Sequence, residues 1–267
     1  MDKRKVGRLA VAKASGSMRQ LIPVARDEPL DALYLDLQLG EGGQRPYLYV
    51  NMVSSADGAA TIGGRSRGLG GEADRIAFRR LRETADAILV GAGTARDEDY
   101  RPPRLSAEGQ QRRRARGQAL APRLVVVTGR VSLDPAARMF SDPENRPLIV
   151  TTERSGPRAR AMLQAAADIL TAGAHEVDFD AALRRLREMG IRRLLCEGGP
   201  TLNAALISRG LVDELFLTIA PIVVGRSPHR IVTGDLPGPR RLALRELREH
   251  RGELLTRYAF EPSESEP

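Results

Sequence analysis

The sequence predicts an α/β domain built on a largely parallel sheet, with helices on both faces and antiparallel strands at its end. Four short runs of apolar, strand-forming residues recur along the chain, at residues 87–94, 123–130, 147–152 and 192–198. Segments with helical spacing of apolar residues alternate with these runs, an order typical of a parallel sheet that is buried on both faces. The last apolar segments, 213–225 and 242–260, have no helical pattern between them. They predict antiparallel strands that complete the sheet.

The chain has 267 residues, of which 42% are hydrophobic, and this is enough for one domain with a substantial core. No linker rich in proline, glycine or serine separates two complete sets of strands and helices, so a single domain is predicted. We expect a basic, disordered extension over residues 1–17 and a segment over 18–45 that packs on the domain. The domain itself is expected over 46–260, followed by an acidic, disordered tail over 261–267.

Within the domain the first strand is predicted in residues 47–58, which begin with strand-forming tyrosine and valine and end with the turn signal Asp57-Gly58. Helical spacing then predicts four helices, over residues 72–84, 158–167, 181–189 and 202–209. The charged stretch that ends near residue 122, including the run RRRAR at 112–116, is expected to be a solvated loop. Residues 31–39 are ambiguous between a short helix and a strand.

The formal net charge of +8 at pH 7 raises the question of nucleic-acid binding. The chain has no tryptophan and only 4% aromatic residues, and no aromatic residue interrupts the arginine run. A surface on which bases could stack is therefore not expected. We predict a small-molecule partner and no nucleic acid.

No apolar run approaches the roughly 20 residues that a membrane helix needs, and the basic N-terminus lacks the apolar segment of a signal peptide. We expect a cytoplasmic protein without membrane contact. Cys196 is the single cysteine, which excludes an internal disulfide and a cysteine-rich zinc site. No metal is predicted.

Two glycine turns give the strongest indication of a ligand site. VGAGT at 90–94 and EGGPT at 197–201 each follow an apolar strand, and the second leads into a helix with Pro200 in its first turn. Backbone N–H groups at such turns bind phosphate, and parallel strands share one carboxyl edge, so the two turns together suit a dinucleotide. Arg96 replaces the third glycine of the Rossmann fingerprint. The structural alternative is a pair of ordinary turns.

The stretch from Gly63 to Gly71 contains five glycines in nine residues, which suggests backbone lying close to a ligand. A mobile surface loop is the alternative. After the strand at 123–130, Thr128 and Arg130 supply a hydroxyl and a guanidinium that suit a ribose 2′-phosphate. These two residues favour NADPH as the cofactor.

Four motifs, in this order, resemble the pyrimidine reductase family of riboflavin biosynthesis: VSSADG at 53–58, LRETADAILVGAGTARDE at 81–98, LLCEGGPTLNAAL at 194–206 and LVDELFLTIAPIVVG at 211–225. The resemblance covers about residues 46–260. It implies a dihydrofolate-reductase-like three-layer fold, NADPH as cofactor and a homodimer that meets through its closing strands. The zinc deaminase that often accompanies this reductase is not expected, because one cysteine cannot supply its ligands.

The resemblance also implies the reaction and the residues that carry it. The reaction is hydride transfer from NADPH to carbon 1′ of 5-amino-6-(5-phosphoribosylamino)uracil, which opens the ribose to a ribityl chain. The family pattern assigns Glu197 and Asp57 to catalysis and places Ser55 at the substrate. The positions that match cofactor-binding residues are Ser66, Leu69, Gly70, Gly91, Gly93, Thr94, Gly198, Gly199, Pro200 and Thr201.

Three departures from the family pattern concern the substrate side. Asn51 stands six residues before Asp57, where the family usually has lysine, and Gly68 replaces an aromatic residue. Glu98 opens the segment that replaces the family's Asp-Asn-Pro or Asp-Asp-Pro. We therefore expect Asn51 and Glu98 at the substrate. The departures keep two alternatives open: reduction of a dihydrofolate-type or other pteridine-like substrate on the same fold, or a non-catalytic nucleotide-binding protein.

Overall fold

The computed structural model of the chain describes residues 17–226 and 229–262. Its strands are β1 (Ser17–Ile22), β2 (Arg26–Pro29), β3 (Tyr47–Ser55), β4 (Ala87–Gly91), β5 (Arg123–Val127), β6 (Leu148–Thr151), β7 (Asp168–Thr171), β8 (Arg193–Cys196), β9 (Glu214–Ala220), β10 (Leu242–His250) and β11 (Glu253–Phe260). Its α-helices are α1 (Glu72–Thr84), α2 (Ala92–Asp97), α3 (Ala107–Ala115), α4 (Pro157–Leu163), α5 (Phe179–Glu188) and α6 (Pro200–Ser208).

The strands form an 11-stranded sheet in the order β2-β1-β10-β11-β9-β3-β8-β4-β5-β6-β7. Every pair from β9 to β7 is parallel, and every pair from β9 to β2 is antiparallel. The predicted α/β class, with a mostly parallel sheet and an antiparallel finish, is confirmed. The carboxyl ends of β9, β3, β8, β4 and β5 consequently lie side by side along one edge of the sheet.

Side chains of the central strands alternate between two apolar layers, one on each face of the sheet. Tyr49 of β3 and Leu195 of β8 pack with α1 in one layer, whereas Leu48 and Cys196 pack with α5 and α6 in the other. This alternation follows from the two-residue period of a strand and explains why the parallel strands read as continuous apolar runs. Cys196 is buried and donates its thiol to Asn203 Oδ1 (3.4 Å).

The arginine run at 112–116 was wrongly predicted to be a solvated loop. It belongs to α3, whose first turn is capped by the Ser106 hydroxyl, and Arg113 is buried. The Arg113 guanidinium donates to the carbonyl oxygens of Ala119 (2.6 Å), Glu83 (3.2 Å) and Ala85. Because the last carbonyls of a helix have no partner within it, Arg113 satisfies the C-terminal end of α1.

The ends of the chain differ in detail from the predicted regions. Ser17 opens β1, which pairs with β10, so this residue of the predicted extension belongs to the sheet. Glu261 of the predicted tail donates its backbone N–H to Arg241 O (3.1 Å). The predictions of disorder for residues 1–16 and 263–267 lie outside the described residues.

Two local differences concern helices. The predicted helix over 158–167 is shorter, since α4 ends at Leu163 and the chain turns before β7. The VGAGT turn leads into α2, a helix of six residues that the sequence analysis did not predict. The ambiguous segment 31–39 contains a 3-10 turn at Leu30–Ala32, after which Leu33 and Tyr34 are buried. The described residues contain no helix long and apolar enough to cross a membrane.

Candidate active site at the carboxyl edge of the sheet

The structure places the two glycine turns against each other, because β8 and β4 are neighbours. Gly91 N–H donates to Gly198 O (2.8 Å), which joins the turns through their backbones. A methyl group on Gly199 would overlap Thr94 Oγ1, so a larger residue at this position would require the Thr94 side chain to shift. Gly93, by contrast, faces open space. The two turns bring backbone and hydroxyl groups together in one place, hereafter the glycine cleft, comprising residues 91–94 and 198–201.

The glycine cleft fits a phosphate group by its chemistry. α6 begins at Pro200, whose missing N–H costs nothing at this position, and the N–H groups that follow have no acceptor within the helix. Thr201 is exposed at this end of α6. Donors of this kind, together with the positive end of the helix dipole, favour an anion. The predicted cofactor residues Gly91, Gly93, Thr94 and 198–201 are thus brought together in one place.

Thr128 and Arg130 lie at the end of β5, on the far side of β4 from β8. The Thr128 hydroxyl donates to Arg130 O, and its N–H donates to Val150 O (3.0 Å), so the turn is closed by its own hydrogen bonds. The Arg130 side chain is exposed. Because the Thr128 hydroxyl is already bonded within the turn, the exposed Arg130 guanidinium is the group that can bind an anion here.

Glu197, the first residue of the EGGPT turn, is held by two residues that the sequence analysis did not propose. Arg82 of α1 donates to both of its carboxylate oxygens, Nε to Oε1 at 2.6 Å and Nη2 to Oε2 at 2.7 Å. The Tyr100 hydroxyl also donates to Oε2 (2.7 Å). The Glu197 side chain is 2% exposed and that of Arg82 is 18% exposed. The result is a buried, charge-balanced group at the mouth of β8, hereafter the Glu197 group.

The environment of the Glu197 group fixes the protonation of its partners. Burial lowers the pKa of Arg82, but the charge of Glu197 and its hydrogen bonds outweigh this effect and raise that pKa above its ordinary value. Burial and then the charge of Glu197 raise the pKa of Tyr100 well above its ordinary value, so the phenol stays protonated. Arg82 also lies over the Phe78 ring, 4.1 Å from its centre. Arg82 is therefore a permanent cation clamped between a ring and a carboxylate.

Sequence signals for the two missed residues existed. Arg82 follows Leu81, a buried residue of α1, and lies inside the quoted motif LRETADA. Tyr100 stands in the segment that departs from the family pattern. Neither signal identifies Glu197 as the common partner, because the contacts join positions 115 and 97 residues apart in the chain.

Asp57 and Ser55, predicted at the reaction, are instead engaged with one another and with the loop after β9. The Ser55 hydroxyl donates to Asp57 Oδ1 (2.5 Å), and the backbone N–H groups of Val224 and Gly225 donate to the same carboxylate (3.2 and 2.8 Å). The hydrogen bonds from Ser55, Gly225 and Val224 lower the pKa of Asp57 to about 2. Asp57 is thus an anion that ties two loops together, and this geometry argues against its serving as a proton donor.

Glu98 is likewise engaged with the protein. Its Oε1 accepts the backbone N–H of Ser66 (2.7 Å), which fastens the glycine-rich stretch to the end of α2. Leu69 is buried, and a methyl group on Gly70 would overlap Asp74 Oδ2. Of the predicted residues in this stretch, Ser66 thus contacts Glu98, Leu69 belongs to the core, and Gly70 brings its backbone close to Asp74.

Asn51 lies beside the Glu197 group. It is 8% exposed and belongs to β3, where the preceding residue, Val50, pairs with Cys196 of β8. The register thus puts Asn51 next to Glu197, on the face where the Tyr49 hydroxyl donates to Leu81 O of α1 (3.1 Å). An amide stands next to the carboxylate at the position where the family usually carries lysine.

A cavity of about 330 Å³ lies elsewhere, between α1, α3 and Asp31. The residues of α1 that line it, among them Ile76 and Arg80, are not those that face the Glu197 group. None of the predicted site residues lines it, and Arg80 and Arg112 both pair there with Glu83. Within the described residues, no group of three or more histidine, cysteine or acidic side chains could hold a metal ion.

Comparison with known proteins identifies what the chain resembles. The family model of the RibD C-terminal domain matches residues 46–255. The chain is 35% identical over 193 residues to the 2,5-diamino-6-ribosylamino-4(3H)-pyrimidinone 5′-phosphate reductase of Methanothermobacter thermautotrophicus, covering 72% of this chain and 85% of that protein. The reductase of the same name from Archaeoglobus fulgidus is 35% identical over 182 residues, covering 68% and 83%.

A solved structure supports the same relationship at the level of the fold. The crystal structure of a pyrimidine reductase-like protein from Corynebacterium diphtheriae superimposes with a TM-score of 0.78 at 25% identity. The match covers 88% of this chain and 99% of that protein. The strands β3, β4 and β8 and the helices α1, α2 and α6, which carry the glycine cleft and the Glu197 group, lie within the region matched by the family model.

Proposed function

Because the chain belongs to the RibD C-terminal domain family, we propose that it reduces 2,5-diamino-6-ribosylamino-4(3H)-pyrimidinone 5′-phosphate with NADPH. The observation that carries the proposal is the adjacency of the glycine cleft and the Glu197 group, which are joined through the Glu197–Gly198 peptide. One part suits the phosphates of a dinucleotide and the other presents fixed polar groups to a heterocycle. A hydride donor and its acceptor can meet between them.

The reaction adds a hydride to carbon 1′ and breaks the bond between carbon 1′ and the ribose ring oxygen. That oxygen takes up one proton and becomes a hydroxyl, and the nitrogen that joins carbon 1′ to the pyrimidine carries one hydrogen before and after. NADPH supplies the hydride when bound, and the proton comes from solvent or from a protein group. The chain's own residues bind and orient the reactants. Glu197 holds Arg82 and the Tyr100 hydroxyl in one orientation, and these two groups, which are less buried than the carboxylate, face the substrate.

The substrate proposed here differs from the uracil compound expected from the sequence by an amino group in place of an oxygen at position 2. Both compounds carry the ribosylamino group on which reduction takes place, so the reaction is unchanged. The preference for the diamino compound rests on the names of the relatives, two of which are matched over more than four fifths of their length.

We propose NADPH rather than NADH because of Arg130. Its exposed guanidinium lies at the end of β5, one strand beyond the glycine cleft, where a ribose 2′-phosphate would find a bidentate partner. Thr128 supports the turn that carries Arg130. Replacing Arg130 by alanine should weaken NADPH binding about tenfold and leave NADH binding unchanged, since only the first cofactor has the 2′-phosphate.

The function is tested by mixing the purified chain with NADPH and one of three substrates: the diamino pyrimidinone phosphate, its uracil counterpart or dihydrofolate. Loss of the absorbance of reduced nicotinamide is followed, and the product is identified by mass spectrometry. We expect turnover of the diamino compound. Turnover of dihydrofolate alone would support the alternative substrate. Tight binding of NADPH without turnover of any of the three substrates would indicate that the chain is a non-catalytic nucleotide-binding protein.

We also propose a cytoplasmic homodimer, as in the sequence-based expectation, although β9 does not support it. The apolar composition of β9 is explained by its position inside the sheet, between β11 and β3. Leu242 and Leu244, each 37% exposed at the start of β10, are the better candidates for a contact. Light scattering after gel filtration measures the mass, and Leu244→Asp should shift a dimer towards the monomer.

A further inference from the structure

One flank of α1 carries three residues in a row, Asp74, Phe78 and Arg82, at intervals of four residues. Residues spaced by four lie one above another on a helix, so these three form a single stripe. Arg82 at one end reaches the Glu197 group, and Phe78 in the middle lies under the Arg82 guanidinium. The first member, Asp74, has been described so far only as the side chain that lies against Gly70.

The strands beneath the stripe place Asp74 at the same edge of the sheet. The Asp74 carboxyl is hydrogen-bonded to the side chain of Thr218 of β9, and Thr218 pairs with Val53 of β3. On the same face of β3, two residues before Val53, lies Asn51, which is next to Glu197. A strip of sheet from β9 across β3 to β8 thus has Asp74 at one end and Glu197 at the other.

The surroundings of Asp74 make its carboxyl group unusual. Gly70 lies directly against its Oδ2, and the side chain is only partly exposed. Burial raises the pKa of Asp74 to about 6, and Glu253 of β11 acts in the same direction, while Thr218 and Arg75 oppose them. Glu253 itself accepts the N–H groups of Gly71 (2.5 Å) and Ala73 (3.2 Å) at the start of α1.

We propose that Asp74 binds the 2-amino-4-oxo edge of the pyrimidine and thereby selects the diamino compound over its uracil counterpart. This inference rests on the proposed function, whose substrate it makes specific. That edge presents two adjacent donors, the exocyclic amine at position 2 and the ring N3–H, which match the two oxygens of a carboxylate. Uracil presents a carbonyl oxygen at position 2, which an ionised carboxylate repels.

The order of the residues along the strip agrees with this assignment. A heterocycle bound by Asp74 at its position-2 edge would lie along Phe78, with its ribosylamino side directed to the Glu197 group and the glycine cleft. Sites that pair hydrogen-bonding groups with a substrate discriminate strongly, because the wrong substrate leaves a buried polar group without a partner. Asp74 is therefore a specificity residue and takes no part in hydride transfer.

The test measures binding without requiring turnover. 2,6-Diaminopyrimidin-4-one and 6-aminouracil differ only at position 2, and each is titrated into the full chain with saturating NADP⁺, with binding followed by NMR. We expect the wild type to bind the diamino probe at least about tenfold more tightly at pH 7.5, and Asp74→Asn to lose this preference, because the amide offers a donor where two acceptors are needed. Glu72→Gln is the matched control, since it removes a half-exposed carboxylate from the same turn of α1 and should leave the preference intact.

Equal binding of the two probes to the wild type, or binding of neither, would overturn the inference without any variant. A preference that persists in a folded Asp74→Asn would overturn it as well. The turnover assay gives a separate outcome. A wild type that selects the diamino probe but reduces neither pyrimidine phosphate would contradict the proposed function and leave the assignment of Asp74 in place.

Discussion

The guanidinium of Arg82 holds both carboxylate oxygens of Glu197, with Nε–Oε1 and Nη2–Oε2 distances of 2.6 and 2.7 Å, in a pair whose acidic partner is 2% exposed. A carboxylate in this position cannot be solvated by water and depends on the partner for its charge balance. The pair therefore affects both the stability of the fold and the reduction of the substrate. Denaturation and kinetics measure these two effects separately.

Replacing Arg82 by leucine should destabilise the fold by about 3–5 kcal/mol, because it leaves a buried charge without its partner. The double variant with Glu197→Leu should recover a large part of this loss, since no charge then remains. Urea denaturation of the wild type, both single variants and the double variant gives the coupling energy. Additive losses would show that the two side chains do not stabilise each other.

Glu197→Gln should lower turnover at least about tenfold while the dissociation constant of NADPH changes less than about twofold, because the amide keeps the volume but loses the bidentate pairing with Arg82. Steady-state kinetics and fluorescence titration of the cofactor measure the two quantities. Tyr100→Phe removes one hydrogen bond to the same carboxylate and should have a smaller effect in the same direction. Unchanged activity in Glu197→Gln would remove this residue from the reaction.

Gly199→Ala should weaken NADPH binding by about tenfold or more, since the added methyl group overlaps Thr94 Oγ1 and an overpacked site costs about 1–3 kcal/mol. The double variant with Thr94→Ala removes the overlapping atom and should bind NADPH more tightly than Gly199→Ala alone. Gly238→Ala is a suitable control, because its added methyl group meets nothing within 4 Å. Equal effects at Gly199 and Gly238 would contradict the close packing of the glycine cleft.

Arg113→Met should lower the melting temperature by about 4–8 °C, because the carbonyls that cap α1 lose a donor at a cost of about 2 kcal/mol. Arg114→Met is the matched control, since Arg114 is exposed on the same helix and its replacement should shift the melting temperature by less than about 2 °C. Differential scanning calorimetry compares the two. Equal shifts would show that charge, rather than the buried hydrogen bonds, determines the effect.

The stabilisation that Asp57 gives to the loop after β9 depends on pH, and the lowered pKa of Asp57 determines the direction. Its pKa falls from 3.8 to about 2 on folding, so the stabilisation that it gives is present above about pH 4 and is lost as the pH falls towards 2. Asp57→Asn should therefore loosen the loop at Val224 and Gly225 at pH 6 and make no difference near pH 2. Hydrogen exchange of these two amides measures the effect. A difference between the variants that persists unchanged at low pH would contradict the hydrogen-bonded anion.

The local pattern of the sequence was sufficient for most of the fold, and the resemblance of four motifs to a known family was sufficient for the class of activity. Runs such as 123–130 form strands because their apolar, branched side chains fill both faces of a parallel sheet. Each segment shows this by its own composition, without reference to the rest of the chain. The glycine turns at 90–94 and 197–201 follow from the same local logic. The prediction of a pyrimidine reductase of riboflavin biosynthesis is confirmed by the family match and the relatives.

The partners of the charged residues were decided only by the tertiary structure. Periodicity cannot say that Arg113 turns inward to cap α1, or that Arg82 and Tyr100 meet at Glu197, because an arginine-rich chain offers many cations for each carboxylate. Which cation pairs with a given carboxylate depends on where the helices cross the sheet. The sequence alone determined that Glu197 stands at the mouth of a strand beside a glycine turn, whereas the packing of α1 determined what holds its charge.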